Sequence, residues 1–193
     1  MIHKISIVIP KWLAREGVIS ELDIELYRYA VYRIILTLIP VAISILCGLF
    51  CGMVQENVVF ISTFMIIRKF SSGFHLESAG KCLLISSVIL GMIAILLKSP
   101  QVFNDAWFMV VVFVSAISIC MMSPIDSDAH QLSENEKRIF KVITRLIVFC
   151  TVCIYIAFVF AGKYWSLPFG MSIVLAASLQ IPNIYKKVNK AKS

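Results

Sequence analysis

The chain has 193 residues and a formal net charge of +7; 60% of its residues are apolar and only 15% are charged. Soluble domains run nearer half apolar and a quarter charged. Here the excess, a mean hydropathy of +0.90, comes in runs of about 17 or more residues, the signature of bilayer-spanning helices. A soluble core cannot absorb so many runs at a length that suits one domain, which excludes a soluble globular protein and makes a second module unexpected. The positive charge calls for no nucleic acid, because the basic residues flank the apolar runs, where they meet anionic lipid headgroups. The expected fold is an all-α integral membrane protein, one membrane-embedded domain over 1–193 with about six transmembrane helices and an N-terminal amphipathic interfacial helix.

Residues 1–30 read as that interfacial leader. Lys4, Lys11, Arg15 and Glu16 interrupt its first stretch. No long apolar segment there ends at a small-residue cleavage site, so the leader is expected to stay on the protein. Ser20 followed by Asp23 resembles a capping box with Asp in place of the usual Glu or Gln. Leu22, Leu26 and Tyr29 then fall on one helical face. Trp12, Tyr27, Tyr29 and Tyr32 suit the headgroup level of a bilayer. Six spans follow, approximately 31–51, 53–69, 82–98, 105–122, 143–162 and 164–181. The second is the weakest, since Glu56 and Asn57 leave only 58–67 free of charges and side-chain amides; a re-entrant segment is its alternative. Pro40 and Pro168 fall inside the first and last spans and are expected to kink them, as membrane helices tolerate.

Charge decides the orientation. With both termini in the cytoplasm, sixteen of the eighteen Lys and Arg residues fall on or near the cytoplasmic side, and only Lys98 and Lys163 fall outside. Such asymmetry is the positive-inside pattern, and it needs the weak second span to cross.

Five of the six cysteines (Cys47, Cys51, Cys120, Cys150 and Cys153) lie inside apolar runs, where a cysteine behaves as a small hydrophobe. Cys150 and Cys153 form a CxxC without the βαβ pattern or polar neighbours of a redox or zinc motif. The sequence holds no HExxH and no GxSxG, and His3, His75 and His130 are scattered, so neither a metal nor another cofactor is expected.

The remaining cysteine is different. Cys82 shares a cytoplasmic loop, 68–82, with His75. An ordinary thiol near pKa ~8.5 is only a few per cent thiolate at neutral pH, and a histidine, a cation or a helix N-terminus raises that fraction. His75, Lys81 and the start of the third span supply all three. The spacing of seven would put the two residues roughly 10 Å apart in a continuous helix, whereas proton transfer needs about 3 Å. The chain between them must bend, with Gly73 and Gly80 as flexible points. Spacing alone leaves open that His75 is an interfacial polar residue and Cys82 one more packing cysteine. In the second cytoplasmic loop, Ser133 and Glu136 form a capping box. Beyond them Lys137, Lys141 and Arg145 recur along one face, either as positive-inside anchors or as a cradle for an acidic peptide. Asp126 and Asp128 are solvated carboxylates or, alternatively, a partner that orients His75.

Arg68, Gly73, Phe74, His75 and Cys82, at these spacings between two helices, resemble the accessory gene regulator B (AgrB) family, membrane cysteine endopeptidases of Gram-positive quorum sensing. The resemblance extends to 19–29 and to Ser123, Pro124, Ile125 and Asp126. Ser72 and Leu76 depart from the family's usual small residues beside the histidine, which bears on turn geometry and substrate preference. The resemblance implies that Cys82 is the nucleophile and His75 the general base and acid. The reaction it implies removes the C-terminal tail of an AgrD-like propeptide through a thioester, which an internal peptide thiol then closes to a thiolactone. Arg68, Gly73, Asp126, Lys137, Arg138 and Lys141 are the substrate-binding candidates, the lipid bilayer is the environment, and a homodimer is implied by the family. The competing reading is a non-catalytic transporter or a scaffold for peptide export, in which Cys82 would be replaceable.

Topology is open to direct test. A probe cysteine at Ser72 or Ser127 should react with an impermeant maleimide only from the cytoplasmic side, and one at Asn104 only from outside. Outside labelling of Ser72 would overturn the orientation.

Overall fold

The computed structural model describes residues 2–71, 79–98, 106–123, 133–162 and 165–181. Among these every regular element is helical: α1 (Ile2–Arg15), a 3-10 turn (Glu21–Asp23), α2 (Ile24–Cys51), α3 (Val54–Ser71), α4 (Ala79–Leu96), α5 (Ala106–Met122), α6 (Glu134–Phe160) and α7 (Ser166–Ser178). Helices α2–α7 overlap the six apolar runs, with α2 and α6 beginning about two turns before them. Two segments, Glu21–Cys51 and Glu134–Phe160, are long and apolar enough to cross a membrane by length and composition; Leu83–Leu96, Ala106–Met122 and Ser166–Ser178 are shorter apolar helices.

The helix ends follow from local chemistry. Gly17 and Gly52 adopt φ of 70° and 71°, a left-handed conformation that glycine takes without a Cβ penalty. At Gly52 the following Met53 N–H returns to the Gly48 carbonyl at 2.9 Å and closes α2. Ser133 and Glu136 make the reciprocal capping box expected at the head of α6. The leader differs from expectation. Ser20 Oγ accepts from the Leu22 N–H and caps one 3-10 turn, Asp23 makes no side-chain cap bond, and the helix runs on without a break into α2. Aspartate is one methylene shorter than the glutamate of a full capping box, which accounts for the missing return bond. The separate N-terminal element is α1. Pro40 sits inside α2. Pro168 stands only at the third position of α7, where no N–H is needed for an intrahelical bond, so it starts that helix instead of kinking it.

The interior is mainly apolar, but large apolar side chains also cover much of the outside. Phe50, Phe160 and Met121 are exposed, as are Trp107, Val110, Val114 and Ile117 of α5 and Val142, Leu146 and Phe149 of α6, while Ser44, Asn57, Thr144, Ser172 and Gln180 are buried. Contiguous apolar surface on this scale needs a cover that water does not provide, and buried polar groups need internal partners. This is the surface of a membrane protein.

The partners are interhelical. Asn57 on α3 donates through Nδ2 to the Ser44 carbonyl of α2 at 2.5 Å, and Ser44 Oγ reaches the Leu90 carbonyl of α4 at 3.5 Å. Ser172 Oγ on α7 donates to the Phe60 carbonyl of α3 at 2.9 Å. The order of these contacts gives the directions. Ser44 and Cys47 of α2 meet Leu90 and Gly91 of α4 in the same sense. Phe60 and Ser71 of α3 meet Ser172 and Gln180 of α7, again in parallel. On α6, Arg145 and Tyr155 meet Cys120 and Phe108 of α5 in reverse order. Consecutive helices thus alternate in direction along the chain. Small residues permit the closest approaches: a Cβ at Gly48 would stand 2.9 Å from Asn57 Nδ2, and one at Gly170 would stand 2.9 Å from Phe108 and 3.0 Å from Tyr155.

Asn57 and Gly48 should therefore be coupled. Asn57→Ala should destabilise the detergent-solubilised protein by about 1–2 kcal/mol, the range measured for hydrogen bonds between membrane helices. Gly48→Ala should destabilise it by about 1–3 kcal/mol through overpacking. In thermal unfolding the double variant should fall short of the sum by at least about 0.5 kcal/mol. Strict additivity would show that the two sites do not share this contact.

Candidate functional site

One end of the helix bundle gathers most of the polar and basic groups. The C-terminal ends of α3, α5 and α7 reach it together with the first half of α6. On α3, the Arg68 guanidinium lies 5.8 Å from the Phe64 ring centre and is half-buried, which places its charge against an aromatic face. Phe70 then meets Phe140 of α6 edge-on at 5.9 Å. Arg145 Nε donates to the Cys120 carbonyl near the end of α5 at 3.4 Å, a cation at a helix C-terminus. The connections 72–78 and 124–132 both leave from this end.

At this end, between the last residues of α3, α5 and the chain just beyond α7, lies a buried hydrogen-bonded cluster. Gln180, 1% exposed just beyond α7, donates through Nε2 to Ser123 Oγ at 2.8 Å and to the Ser71 carbonyl at 3.5 Å. Ser123 Oγ also donates to the Ser71 carbonyl at 3.4 Å. Ser71 is the last residue of α3, and Ser123 directly follows α5. A carbonyl can only accept, so the Ser71 oxygen fixes which end of the Gln180 carboxamide faces it. Gln180 Oε1 and, on α6, Thr144 Oγ1 are buried without a hydrogen-bond partner among the described residues.

The site residues read from the sequence divide as follows. His75, Gly73 and Asp126 lie outside the described residues. Cys82 is the fourth residue of α4, in its first turn, and its side chain lies outside the described residues. Arg68 closes α3. Lys137 is half-buried and paired with Glu134 at 3.1 Å, one turn earlier, whereas Arg138 and Lys141 are exposed on α6. The basic stripe is thus uneven, with Lys137 partly neutralised, Arg145 engaged with α5 and Lys141 open. Among the other cysteines, Cys47, Cys51 and Cys120 are half-buried; Cys150 and Cys153 stand exposed on the apolar surface of α6.

Sequence reasoning gave no role to Gln180, Ser123 or Ser71 as a cluster. A carboxamide in the last turn of an apolar run was the available signal, since such a group inside a bilayer must find partners. Asn57 was read as a weakness of the second span; it is fully buried and hydrogen-bonded across α2 and α3.

The chain was compared with known proteins. A curated protein of Clostridium perfringens (strain SM101 / Type A), named as AgrB-like, is 28% identical over 183 residues, covering 88% of this chain and 83% of that protein. A second, from Clostridium perfringens (strain 13 / Type A), named as AgrB-like protein 2, is 29% identical over 188 residues, covering 87% and 86%. No solved structure matches the chain. The family described as Accessory gene regulator B matches residues 6–184, a span that takes in α2–α7 and both connections at the polar end. The chain therefore belongs to the AgrB family.

Proposed function

We propose that this protein is a membrane cysteine endopeptidase that removes the C-terminal tail of an AgrD-like quorum-sensing propeptide and passes the remaining acyl group to a peptide thiol. The observation that supports this reading most is the family match over 6–184, a range that includes His75 and Cys82. The chain forms a single domain with six crossings, α2–α7, and α1 lies at the membrane surface. The alternating helix directions and the distribution of Lys and Arg favour both termini, and the polar end, on the cytoplasmic side. The shorter α7 suits local thinning of the bilayer or tilting of its neighbours.

The chemistry follows from the residue types. The Cys82 thiol gives its proton to His75 and its thiolate attacks the scissile carbonyl. The first-turn N–H groups of α4 and Lys81 favour that thiolate electrostatically. The tetrahedral intermediate expels the tail's amine, which takes the proton from the His75 imidazolium and leaves a thioester on Cys82. An internal thiol of the peptide, deprotonated by the now neutral histidine, attacks the thioester. The Cys82 sulfur departs as thiolate and is reprotonated, and a thiolactone ring is released. Arg68, Arg138 and Lys141 attract the acidic tail, with Lys137 secondary because Glu134 already engages it. Gly73 and Asp126 complete the substrate contacts. Two copies of the chain form the working unit in the lipid bilayer.

Cys82→Ala and His75→Ala should each lower tail release by at least about 10³-fold while leaving the membrane-inserted amount unchanged, because both act in one proton-coupled attack. A variant with Cys47, Cys51, Cys120, Cys150 and Cys153 replaced by Ala or Ser should keep most of its activity. Loss of activity in that variant with normal insertion would point to another thiol. Tail release is read by mass spectrometry of the released fragment.

For the charges, Lys141→Glu should slow processing of an acidic-tailed propeptide more than Lys137→Glu does. The difference should shrink as salt rises, since exposed charges are screened within about 10 Å at 0.1 M. Equal loss at every salt concentration would indicate damage to α6 instead of lost attraction.

A further inference from the structure

Gln180 sits where stability alone does not call for it. It is 1% exposed, it spends both described bonds on the ends of two other helices, and its Oε1 has no partner among the described residues. An apolar side chain of the same shape, such as methionine, would fill the volume without an orphaned acceptor. What the carboxamide adds is geometry. Its Nε2 bridges the Ser71 carbonyl and Ser123 Oγ, which are themselves 3.4 Å apart. The last residue of α3 and the residue after α5 are thereby tied to one planar group at the end of α7. Ser71 is four residues before His75, and Ser123 is three residues before Asp126. At most about 3.5 Å per residue of chain separates each tether from the residue it precedes.

We propose that Gln180 is a positioning residue for the reaction at Cys82. With the Ser123 hydroxyl it fixes where the segments that carry His75 and Asp126 leave α3 and α5. The inference rests on the endopeptidase reading above and adds a residue remote in sequence from the proposed catalytic pair. Gln180 touches neither nucleophile nor substrate in this account. It acts by fixing the last residue of α3, four residues before the histidine, because near-attack geometry is sensitive to shifts of about 1 Å.

The experiment uses full-length protein in lipid nanodiscs with Cys82 as the sole cysteine. Two readouts are taken: the pH profile of Cys82 alkylation by iodoacetamide, which reports thiolate, and kcat and KM for tail release from a synthetic AgrD-type propeptide. Gln180→Met should lower kcat at least tenfold with KM changed less than about twofold. It should also move the alkylation midpoint upward, in the direction of His75→Ala, because a displaced histidine no longer favours the thiolate. Lys81 and the first turn of α4 are intact in both variants, so the common shift reports the histidine. Ser123→Ala, which removes one oxygen, should reproduce both changes in smaller degree, and it carries the test alone if Gln180→Met fails to insert. The two substitutions together should do no more than Gln180→Met alone, as expected for one shared network.

An unchanged kcat would overturn the inference. So would a fall in kcat matched by lost folded protein with the alkylation profile unmoved, which is a merely structural role. Cleavage that persists in Cys82→Ala would remove the endopeptidase reading and this inference with it. A dead Cys82→Ala beside a fully active Gln180→Met would remove the inference alone.

Discussion

Polar groups enclosed between apolar helices must be bonded to one another, because neither lipid nor the packed interior supplies a partner. In this protein that constraint converges on α3. Near its start, Asn57 is bonded to Ser44 of α2. One turn on, the Phe60 carbonyl accepts from Ser172 of α7. At its end, the Ser71 carbonyl accepts from Ser123 and Gln180. The helix thus meets its neighbours through hydrogen bonds at three levels and through Phe60, Phe64 and Ile67 between them. Removing one partner from such a pair leaves the other buried and unsatisfied, at about 1–3 kcal/mol. These bonds fix how α2, the end of α5 and α7 sit against α3.

That arrangement gives the polar start of α3 a physical role. Glu56 and Asn57 lower the apolar score of the segment, which is why the sequence offered a re-entrant stretch as the alternative to a full span. In the structure Asn57 points inward and is satisfied, so its polarity stabilises the packing of α2 on α3. The same logic applies to Gly48 and Gly170, which read in sequence as neutral members of apolar runs. Each marks a place where a neighbour's side chain occupies the space of a Cβ. Contacts between residues distant in the chain carry no local periodicity, so nothing in the sequence identified Gln180 with Ser71 or Ser123.

Features governed by neighbouring residues were legible. The capping box at Ser133 and Glu136 is present because both partners lie within one turn. All six apolar runs lie on helices, with α2 and α6 beginning about two turns before the expected spans, since apolar composition marks the run and local hydrogen bonding sets the helix start. Ser20 caps its helix as expected but without the return bond of a full box, and Pro168 starts a helix instead of kinking one. Each is a boundary residue, and whether a boundary residue starts, kinks or caps a helix depends on where hydrogen bonding begins, within a residue or two. At the proposed site, Cys82 stands out in sequence because it alone shares a polar connection with a histidine. Its place in the first turn of α4 is the physical feature that adds to that reading.

The account turns on a covalent thioester at Cys82. Converting a peptide bond to a thioester is uphill in water, whereas exchange of one thioester for another is close to thermoneutral. The first step therefore advances only if the tail leaves or the ring is carried away. The most direct measurement is intact-protein mass spectrometry after incubation with a propeptide whose ring-closing cysteine is changed to alanine. The account predicts a mass increase on Cys82 equal to the acyl fragment, removed by hydroxylamine, with about one tail released per enzyme. Repeated turnover on that propeptide with no adduct on Cys82 would contradict it.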